Sequence, residues 1–274
     1  MAMSKATAAA RAINPPIKWQ GGKRRLRRLI VAMMPPHRCY VEVFGGAAWV
    51  LFAKPLSAVE VYNDVNGELV NFFKVVKYRW EEFVAACDWL LPSRRLFEEF
   101  KRRDPAGLSD VERAVRFYYL VKASFGGKGE YFGYSVSQRS SFNPSKIYDS
   151  IRRAYERLKH VYIENLDFRE VIKRYDDERT LFYLDPPYYR ADTPRWYDGM
   201  ADEDYEELAE LLRGVKGKFI LSINDCEFTR RLFGNFRVFE VHTVYSLCNM
   251  RALGGGRRKR RRVRELLVCN YDPP

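Results

Sequence analysis

The run of residues 180–189, TLFYLDPPYY, combines the residue types that are needed to handle an amino group on a flat ring. The Asp185 carboxylate can accept a hydrogen bond from such an amine, and a carbonyl of the Asp185-Pro186 backbone can accept a second one. Proline stiffens the backbone that aims this carbonyl, and the Tyr188 ring can stack on a base that has left the duplex. The structural alternative is a strand that ends in a Pro186-Pro187 turn, with tyrosines packed on its rim.

A strand–turn–strand pattern in the first third of the chain has the order of half a nucleotide-binding α/β unit. Residues 39–44 predict a buried strand that enters the turn at Gly45-Gly46, and residues 58–62 predict a second strand that ends near Asp64. Glycines in such a turn let the backbone approach a ligand, and an acid about 20 residues further on binds ribose hydroxyls. Asp64, eighteen positions after Gly46, is predicted to be this acid.

The rest of the chain alternates strand-like and helix-like segments, which predicts an α/β fold. Further strands are predicted at 161–164, 180–184, 218–223 and 265–271. Helices are predicted at 66–76, 80–90, 111–122, 145–159 and 202–212, and a further one begins at 49–53.

Composition and charge narrow the class of partner. The 274 residues are 47% hydrophobic, which suits one large domain or a core domain that carries an inserted smaller one. A net charge of +13 favours a polyanionic partner, with nucleic acid ahead of an anionic membrane surface. Because 35 residues are acidic, this is a folded basic protein rather than a basic tail.

Cysteine and histidine usage argues against disulfides and metals. The cysteines are odd in number and never spaced C-x-x-C, which predicts a reducing compartment and no zinc site. The three histidines do not cluster, so no metal site is expected. No apolar run approaches the roughly 20 residues of a membrane span, and residues 1–12 lack the apolar stretch of a signal peptide. We therefore expect a cytoplasmic protein.

Two basic segments are candidates for nucleic-acid contact. The Gly/Ser/Tyr-rich stretch 123–142 mixes aromatics with cations, and Lys122, Lys128 and Arg139 are the predicted contacts. Six consecutive cations, from Arg257 onward, follow a glycine run and would be costly to bury without a polyanion. We interpret this second segment as a loop that closes on phosphates, with Arg257 and Arg258 among the contacts. A solvated surface loop is the alternative for both segments.

Taken together, five segments resemble the Dam-like (D12 class) DNA adenine-N6 methyltransferases, especially the phage and prophage members. These segments are PIKWQGGK (16–23), VEVFGGAA (41–48), YNDVN (62–66), DPPY (185–188) and ELL (265–267). They occur in the order of the family's α arrangement, in which a variable segment separates the cofactor half from the catalytic motif. The resemblance spans nearly the whole chain and is weakest over 77–142.

The resemblance implies a Rossmann-like, S-adenosylmethionine-dependent methyltransferase sheet with an inserted, mostly helical target-recognition subdomain. Residues 13–76 and 161–274 would form the catalytic domain, and 77–160 would form the target-recognition insertion. The resemblance further implies S-adenosylmethionine as cofactor and double-stranded DNA as partner, with no metal and no membrane. We expect a monomer in solution, of the kind found in bacteriophage and restriction-modification settings.

Site residues follow from the resemblance position by position. The cofactor site would contain Trp19, Lys23, Phe44, Gly45, Gly46, Asp64 and Asp185. The catalytic motif would contain Asp185, Pro186, Pro187 and Tyr188. Trp19 has a structural alternative as a hydrophobic anchor for the N-terminal segment, and Lys23 has one as an ordinary surface cation within a basic run.

One position departs from the family pattern. The family loop is usually Phe-x-Gly-x-Gly, and Ala48 stands where the second glycine is expected. A methyl group at this position can crowd a backbone that approaches the cofactor, or oppose a positive φ. Alanine is the mildest such change, so we expect cofactor binding to survive.

The implied chemistry is direct displacement, in which the adenine amino nitrogen attacks the sulfonium methyl after the base has been extruded. Two alternatives stay open at this point. One is a different methyl acceptor, either RNA or the N4 amine of cytosine. The other is an inert basic DNA-binding module with a degenerate cofactor pocket. The recognition sequence cannot be deduced, because base readout depends on which side chains enter the groove.

Overall fold

The computed structural model of the chain describes residues 13–134, 142–191, 197, 199–244 and 262–274. Within these residues, seven strands form one sheet. The strands are β1 (Cys39–Glu42), β2 (Val59–Asn63), β3 (Val161–Glu164), β4 (Thr180–Leu184), β5 (Lys218–Asn224), β6 (Arg237–Val244) and β7 (Arg262–Cys269).

The strand order is β3-β2-β1-β4-β5-β7-β6. The first five strands are parallel, and β7 inserts antiparallel between β5 and β6. The direction of winding reverses between β1 and β4, which pair side by side. In open α/β sheets such a reversal opens a crevice at the carboxyl ends of the strands, where ligands bind. Glu42 ends β1 and Asp185 follows β4, so both acids lie at this crevice.

The described residues contain nine α-helices and two short 3-10 turns. The helices are α1 (Arg27–Ala32), α2 (Gly67–Tyr78), α3 (Trp80–Asp88), α4 (Arg94–Arg102), α5 (Asp110–Ala123), α6 (Pro144–Leu158), α7 (Phe168–Tyr175), α8 (Asp202–Gly214) and α9 (Glu227–Phe233). The 3-10 turns are Pro105–Gly107 and Phe125–Gly127. No helix in this described part of the chain is both long and apolar enough to cross a membrane.

The sheet separates two hydrophobic layers. Successive side chains of a strand point to opposite faces, so Tyr40 of β1 packs in one layer and Val41 packs in the other. The first layer holds α2, α3, α5 and α6, and the second holds α7, α8 and α9. All five residues of β4 are buried, as expected for a central parallel strand that is covered on both faces.

Segment 77–160 shares the first layer with the strands. Phe83 and Phe117 are buried in the same cluster as Tyr40 of β1. An ion cluster also ties α6 to β2, because Arg157 donates to the buried Glu60, which also accepts from Lys54 at 2.5 Å. The insertion is therefore packed continuously onto the sheet, and its boundaries as a recognition unit stay a prediction.

Several element predictions need correction. Residues 49–53 form hydrogen-bonded turns rather than the start of a helix. Here Leu51 N donates to Glu42 Oε2 at 2.7 Å instead of to a backbone carbonyl, and Pro55 prevents continuation. Helices α1, α4, α7 and α9 and strand β6 were not predicted at all. Helix α4 is mostly polar, and only Leu96, Phe97 and Phe100 pack toward the core.

Candidate active site

A cavity of about 1110 Å³ opens at the crevice between β1 and β4. It brings together residues from the N-terminal segment, the glycine turn, the end of β2 and the segment after β4. Ten predicted cofactor and catalytic residues line it: Trp19, Lys23, Phe44, Gly45, Gly46, Asp64, Asp185, Pro186, Pro187 and Tyr188. The sequence prediction that these residues converge thus agrees with the geometry.

Asp185 is held by a cation and a hydroxyl. Lys23 Nζ lies 2.6 Å from Asp185 Oδ1 and 2.8 Å from Oδ2, and Ser222 Oγ donates to Oδ1 at 2.9 Å. Burial raises the pKa of Asp185, while the Lys23 ammonium and the Ser222 hydroxyl oppose that rise. Lys23 is only 4% exposed, so it is not an ordinary surface cation.

The segment after Asp185 is anchored to other elements at Pro187, Tyr188 and Tyr189. Tyr205 OH donates to Pro187 O at 2.7 Å. Asn224 bonds both backbone groups of Tyr189, at 2.9 Å to N and 3.2 Å to O. The Tyr188 hydroxyl donates to Glu265 Oε2. Tyr189 does pack on the rim, as the structural alternative predicted, because its ring stacks on Phe228 at 4.1 Å.

The glycine turn is required by close packing. A Cβ on Gly45 would lie 2.2 Å from Tyr62 Cε2 and 2.8 Å from the carbonyl oxygen of Asn63, so only glycine fits. Gly46 has a φ of +50°. Its N–H donates to Asp64 Oδ2 at 2.8 Å, and its carbonyl accepts from Tyr62 OH at 2.9 Å. The turn and the acid are therefore one rigid unit.

Ala48 adopts a φ of 59°, the left-handed conformation that glycine normally supplies. The strain of such a conformation is about 1–2 kcal/mol for a residue with a Cβ. Its methyl group is fully buried in the first hydrophobic layer, and Ala48 is not part of the cavity wall. The substitution therefore strains the backbone but does not crowd the cavity.

Asp64 is buried, and none of the ion pairs formed among the described residues involves it. Its two oxygens accept from Gly46 N at 2.8 Å and Asn66 N at 2.9 Å. Tyr197 OH lies 3.1 Å from both oxygens. Burial raises the pKa of Asp64 to about 6, although these hydrogen bonds oppose the rise. Asn63 beside it links the strand ends, because its side chain bonds Val43 O and both backbone groups of Leu166.

Aromatic side chains form the remaining walls. Trp19 is half-buried, with its ring 5.7 Å from that of Phe117 and edge-on to Tyr197 at 6.0 Å. It thus serves both as the hydrophobic anchor of its segment and as cavity wall. Phe44 lies 5.7 Å from Phe168 between ring centroids, and this pair lines the cavity beyond the end of β2.

Several polar residues of the site were not predicted from the sequence: Glu42, Ser222, Asn224, Tyr197 and Glu265. Glu42 accepts from Tyr40 OH at 2.8 Å and Leu51 N at 2.7 Å, and burial raises its pKa to about 8. Glu42 and Asn224 end their strands, and Ser222 lies two residues before the end of β5. Polar residues at the ends of apolar strands are a signal that could have revealed these three. Glu265 begins the ELL segment of the family resemblance, which carried no predicted site role, and nothing local indicates Tyr197.

The predicted nucleic-acid contacts divide into three groups. Lys128 lines the cavity. Lys122 is partly buried, and burial with the neighbouring Lys18 lowers its pKa to about 8. Arg139, Arg257 and Arg258 lie outside the described residues. Across the described part of the chain, no group of three or more His, Cys, Asp or Glu side chains is arranged to hold a metal.

The chain is similar to known DNA methyltransferases. A model of the family described as D12 class N6 adenine-specific DNA methyltransferase matches residues 19–247. The Type II methyltransferase M1.LlaDCHI of Lactococcus lactis subsp. cremoris is 28% identical, over 94% of this chain and 96% of its own length. The Type II methyltransferase M.CviBI of Paramecium bursaria Chlorella virus NC1A is 26% identical, over 85% and 90%.

The DNA adenine methylase of Escherichia coli (strain K12) is 27% identical, over 94% of this chain and 95% of its own length. The family match covers far more than half of the 274 residues. The family and the fold class predicted from the sequence are thereby confirmed. The chain belongs to the D12 class N6 adenine-specific DNA methyltransferases.

Proposed function

We propose that this enzyme uses S-adenosylmethionine to methylate adenine N6 at a defined sequence in double-stranded DNA, by direct displacement on an extruded base. The observation that carries the proposal is the arrangement of two acids in one cavity, with Asp64 buried and Asp185 partly buried. Asp64 lies behind the glycine turn, and Asp185 lies across β1 beside Lys23. A nucleoside cofactor and a target amine can thus meet between them.

The cavity has the donor and acceptor set that an adenosyl group requires. Asp64 would accept hydrogen bonds from the ribose hydroxyls, with Gly45 allowing close approach of the backbone. The Phe44–Phe168 pair offers an apolar wall for the adenine ring. Glu42, on the strand between the two acids, would face the cationic methionine part. When bound, S-adenosylmethionine supplies an electrophilic methyl group on a sulfonium.

Asp185 would orient the target amine rather than act as a strong base. Lys23 favours the ionised carboxylate, which only accepts hydrogen bonds. Asp185 and the Pro186 carbonyl would then accept the two amino hydrogens and fix the angle at the nitrogen. Orientation of this kind contributes up to roughly 7–11 kcal/mol in well-aligned reactions. The proton needs removal only after methylation has made it acidic.

Extrusion of the base would cost a few kcal/mol, which stacking on Tyr188 and phosphate contacts offset. The net charge of +13 favours those phosphate contacts, and Lys128, which lines the cavity, would make one. Segment 77–160 would read the target sequence. We also propose that the protein acts as a monomer in the cytoplasm of a bacterial or phage-infected cell.

The test is transfer of labelled methyl from S-adenosylmethionine to unmethylated duplex DNA, with modified positions mapped by sequencing. Duplexes that lack adenine in the mapped site and RNA of the same sequence serve as competing acceptors. Asp185→Ala should abolish transfer, while Asp272→Ala, which removes a carboxylate that is 80% exposed, is the matched control. Label on cytosine or on RNA would contradict the proposed acceptor, and full turnover by Asp185→Ala would contradict the mechanism.

A further inference from the structure

Glu265 is a buried acid that the proposed reaction leaves without a role. It begins the closing ELL motif, lies on β7 and is 1% exposed. Burying a carboxylate is costly unless it is well paired. Its Oε2 accepts a hydrogen bond from the hydroxyl of Tyr188, 77 residues away in the chain. The closing strand therefore reaches directly into the catalytic motif.

The strand register places a second anchoring residue, Asn224, opposite Glu265. Glu265 of β7 lies opposite Asn224 of β5. Asn224 holds the backbone of Tyr189 through two hydrogen bonds, while Glu265 holds the side chain of Tyr188. Two facing residues on adjacent strands thus fix two consecutive tyrosines, one by its main chain and the other by its ring.

The hydroxyl anchor determines where the Tyr188 ring can point. A tyrosine ring turns about two side-chain torsions. A hydrogen bond from its hydroxyl to a buried group fixes the first torsion and so the position of the ring, and the preference of the phenolic O–H for the ring plane orients the ring about the second. The Lys23 ammonium lies 4.8 Å from the centroid of the same ring, and Lys23 is ion-paired with Asp185. The orientation of the ring is therefore coupled to the position of the catalytic carboxylate.

We propose that Glu265 is a positioning residue, which holds the Tyr188 ring in the plane on which the extruded adenine stacks. The inference rests on the proposed stacking role of Tyr188. Glu265 acts through its bond to Tyr188 and, in addition to burial, raises the pKa of Asp185, but it does not touch the reacting atoms. A glutamine at this position retains an amide oxygen that accepts the same hydrogen bond, whereas a leucine does not.

The test compares Glu265→Gln, Glu265→Leu, Tyr188→Phe and Tyr188→Ala, with Glu240→Gln on the exposed part of β6 as the matched control. Three quantities are measured: kcat/KM for DNA, the Kd for S-adenosylmethionine, and the fluorescence of 2-aminopurine at the target position, which reports extrusion. Glu265→Leu and Tyr188→Phe should each lower kcat/KM about 10- to 100-fold, as expected for loss of a hydrogen bond to a charged group.

In both variants the 2-aminopurine signal should fall, while the Kd for S-adenosylmethionine stays within about twofold, as expected if cofactor contacts are untouched. Glu265→Gln should stay within about threefold of the wild type, since it keeps the acceptor. Tyr188→Phe should cost no further activity in the Glu265→Leu background, because the two residues act through one bond.

Two outcomes overturn the inference. One is a Glu265→Leu enzyme with wild-type kcat/KM and 2-aminopurine signal, and the other is additive losses in the double variant. If Glu265→Leu does not fold, a normal Tyr188→Phe enzyme is sufficient to overturn it. The stacking role of Tyr188 and the positioning role of Glu265 can be tested separately. A fully active Tyr188→Ala enzyme would contradict the stacking role. An impaired Tyr188→Ala enzyme together with a normal Tyr188→Phe enzyme would contradict only the role of Glu265.

Discussion

Asp64 and Asp185 both follow the ends of parallel strands, one on each side of β1, and Asp64 is buried while Asp185 is partly buried. The negative charges of the two acids are compensated in different ways. Asp185 has a cation in contact, since Lys23 lies 2.6 Å from it. Asp64 has neutral donors instead, two backbone N–H groups and the Tyr197 hydroxyl. An acid that must stay ionised to orient an amine benefits from a fixed cation. An acid that must bind ribose hydroxyls benefits from donors that a ligand can augment or replace.

The largest expected effect on stability and activity comes from removing the Lys23 ammonium that pairs with Asp185. Lys23→Met would leave the partly buried Asp185 without its ion-pair partner, and breaking a buried pair costs up to about 3–5 kcal/mol. Because Lys23 opposes the rise in the pKa of Asp185, that pKa should rise further and move the acid limb of methyl transfer to higher pH. Chemical denaturation and a pH–rate profile check both effects.

Lys216→Met, on the surface between α8 and β5, is the matched control for Lys23→Met. An unchanged pH profile in Lys23→Met would show that the ion pair does not set the ionisation of Asp185. The contrast between the two acids would then lose its basis.

The glycine turn on the Asp64 side gives the next largest effect. Gly45→Ala would place a Cβ 2.2 Å from the Tyr62 ring, and such overpacking costs about 1–3 kcal/mol. Cofactor affinity should fall together with stability in Gly45→Ala, because the displaced Tyr62 also holds Gly46.

Ala48→Gly tests the other end of the glycine turn. Relief of backbone strain is offset by lost methyl burial and by glycine entropy, so the free energy of unfolding should change by less than about 1 kcal/mol.

Cofactor affinity should be unchanged in Ala48→Gly, since Ala48 is not part of the cavity wall. Thermal unfolding and calorimetric titration with S-adenosylmethionine measure both variants. A clear gain in cofactor affinity in Ala48→Gly would contradict the placement of its methyl group.

These positions also show what the sequence could and could not predict. Asp64 and Asp185 were predictable because each follows a short apolar strand, and parallel strands bring their carboxyl ends to one edge. Glu265 and Tyr197 were not, because their partners lie 77 and 133 residues away. Helix α4 was missed although its start is capped by Ser93, whose side chain accepts from Leu96 N. Its sequence, RRLFEEFKR, buries only Phe97.

The pH dependence of cofactor binding tests the role of Asp64 separately from that of Asp185. The folded-state pKa of about 6 lies above the ordinary 3.8, so ionising Asp64 costs the folded protein free energy as the pH rises through 6. Ribose hydroxyls donate to the ionised form, and the affinity for S-adenosylmethionine should therefore be about tenfold lower at pH 5 than at pH 7.

Asp64→Asn should bind more weakly overall and should lose this pH dependence between pH 5 and pH 7. Glu42, with a pKa of about 8, titrates above that window. Calorimetric titrations at several pH values provide the measurement. A pH dependence that persists in Asp64→Asn would assign it to another group.

The smallest expected effect concerns Tyr197. Its hydroxyl lies 3.1 Å from both oxygens of Asp64, whose other contacts come from Gly46 N and Asn66 N. A carboxylate offers about four lone-pair positions, so a ribose diol would compete with this hydroxyl. Tyr197→Phe should therefore tighten cofactor binding by roughly two- to fivefold, within the net value of one hydrogen bond.

Tyr175→Phe, which removes a hydroxyl that donates to Glu164 away from the cavity, is the control for Tyr197→Phe. Weaker binding by Tyr197→Phe would mean that the hydroxyl holds Asp64 in its binding orientation instead of competing with the ribose.

The central claim is that Asp64 serves cofactor binding while Asp185 serves methyl transfer, and one paired measurement tests it most directly. The Kd for S-adenosylmethionine and the single-turnover rate of methyl transfer at saturating cofactor are measured for Asp64→Asn and Asp185→Asn. We predict that Asp185→Asn lowers the rate about 100- to 1000-fold with little change in Kd, whereas Asp64→Asn raises Kd about tenfold or more with little change in rate. The claim is contradicted if both variants change the same quantity, or if Asp185→Asn transfers methyl at the wild-type rate.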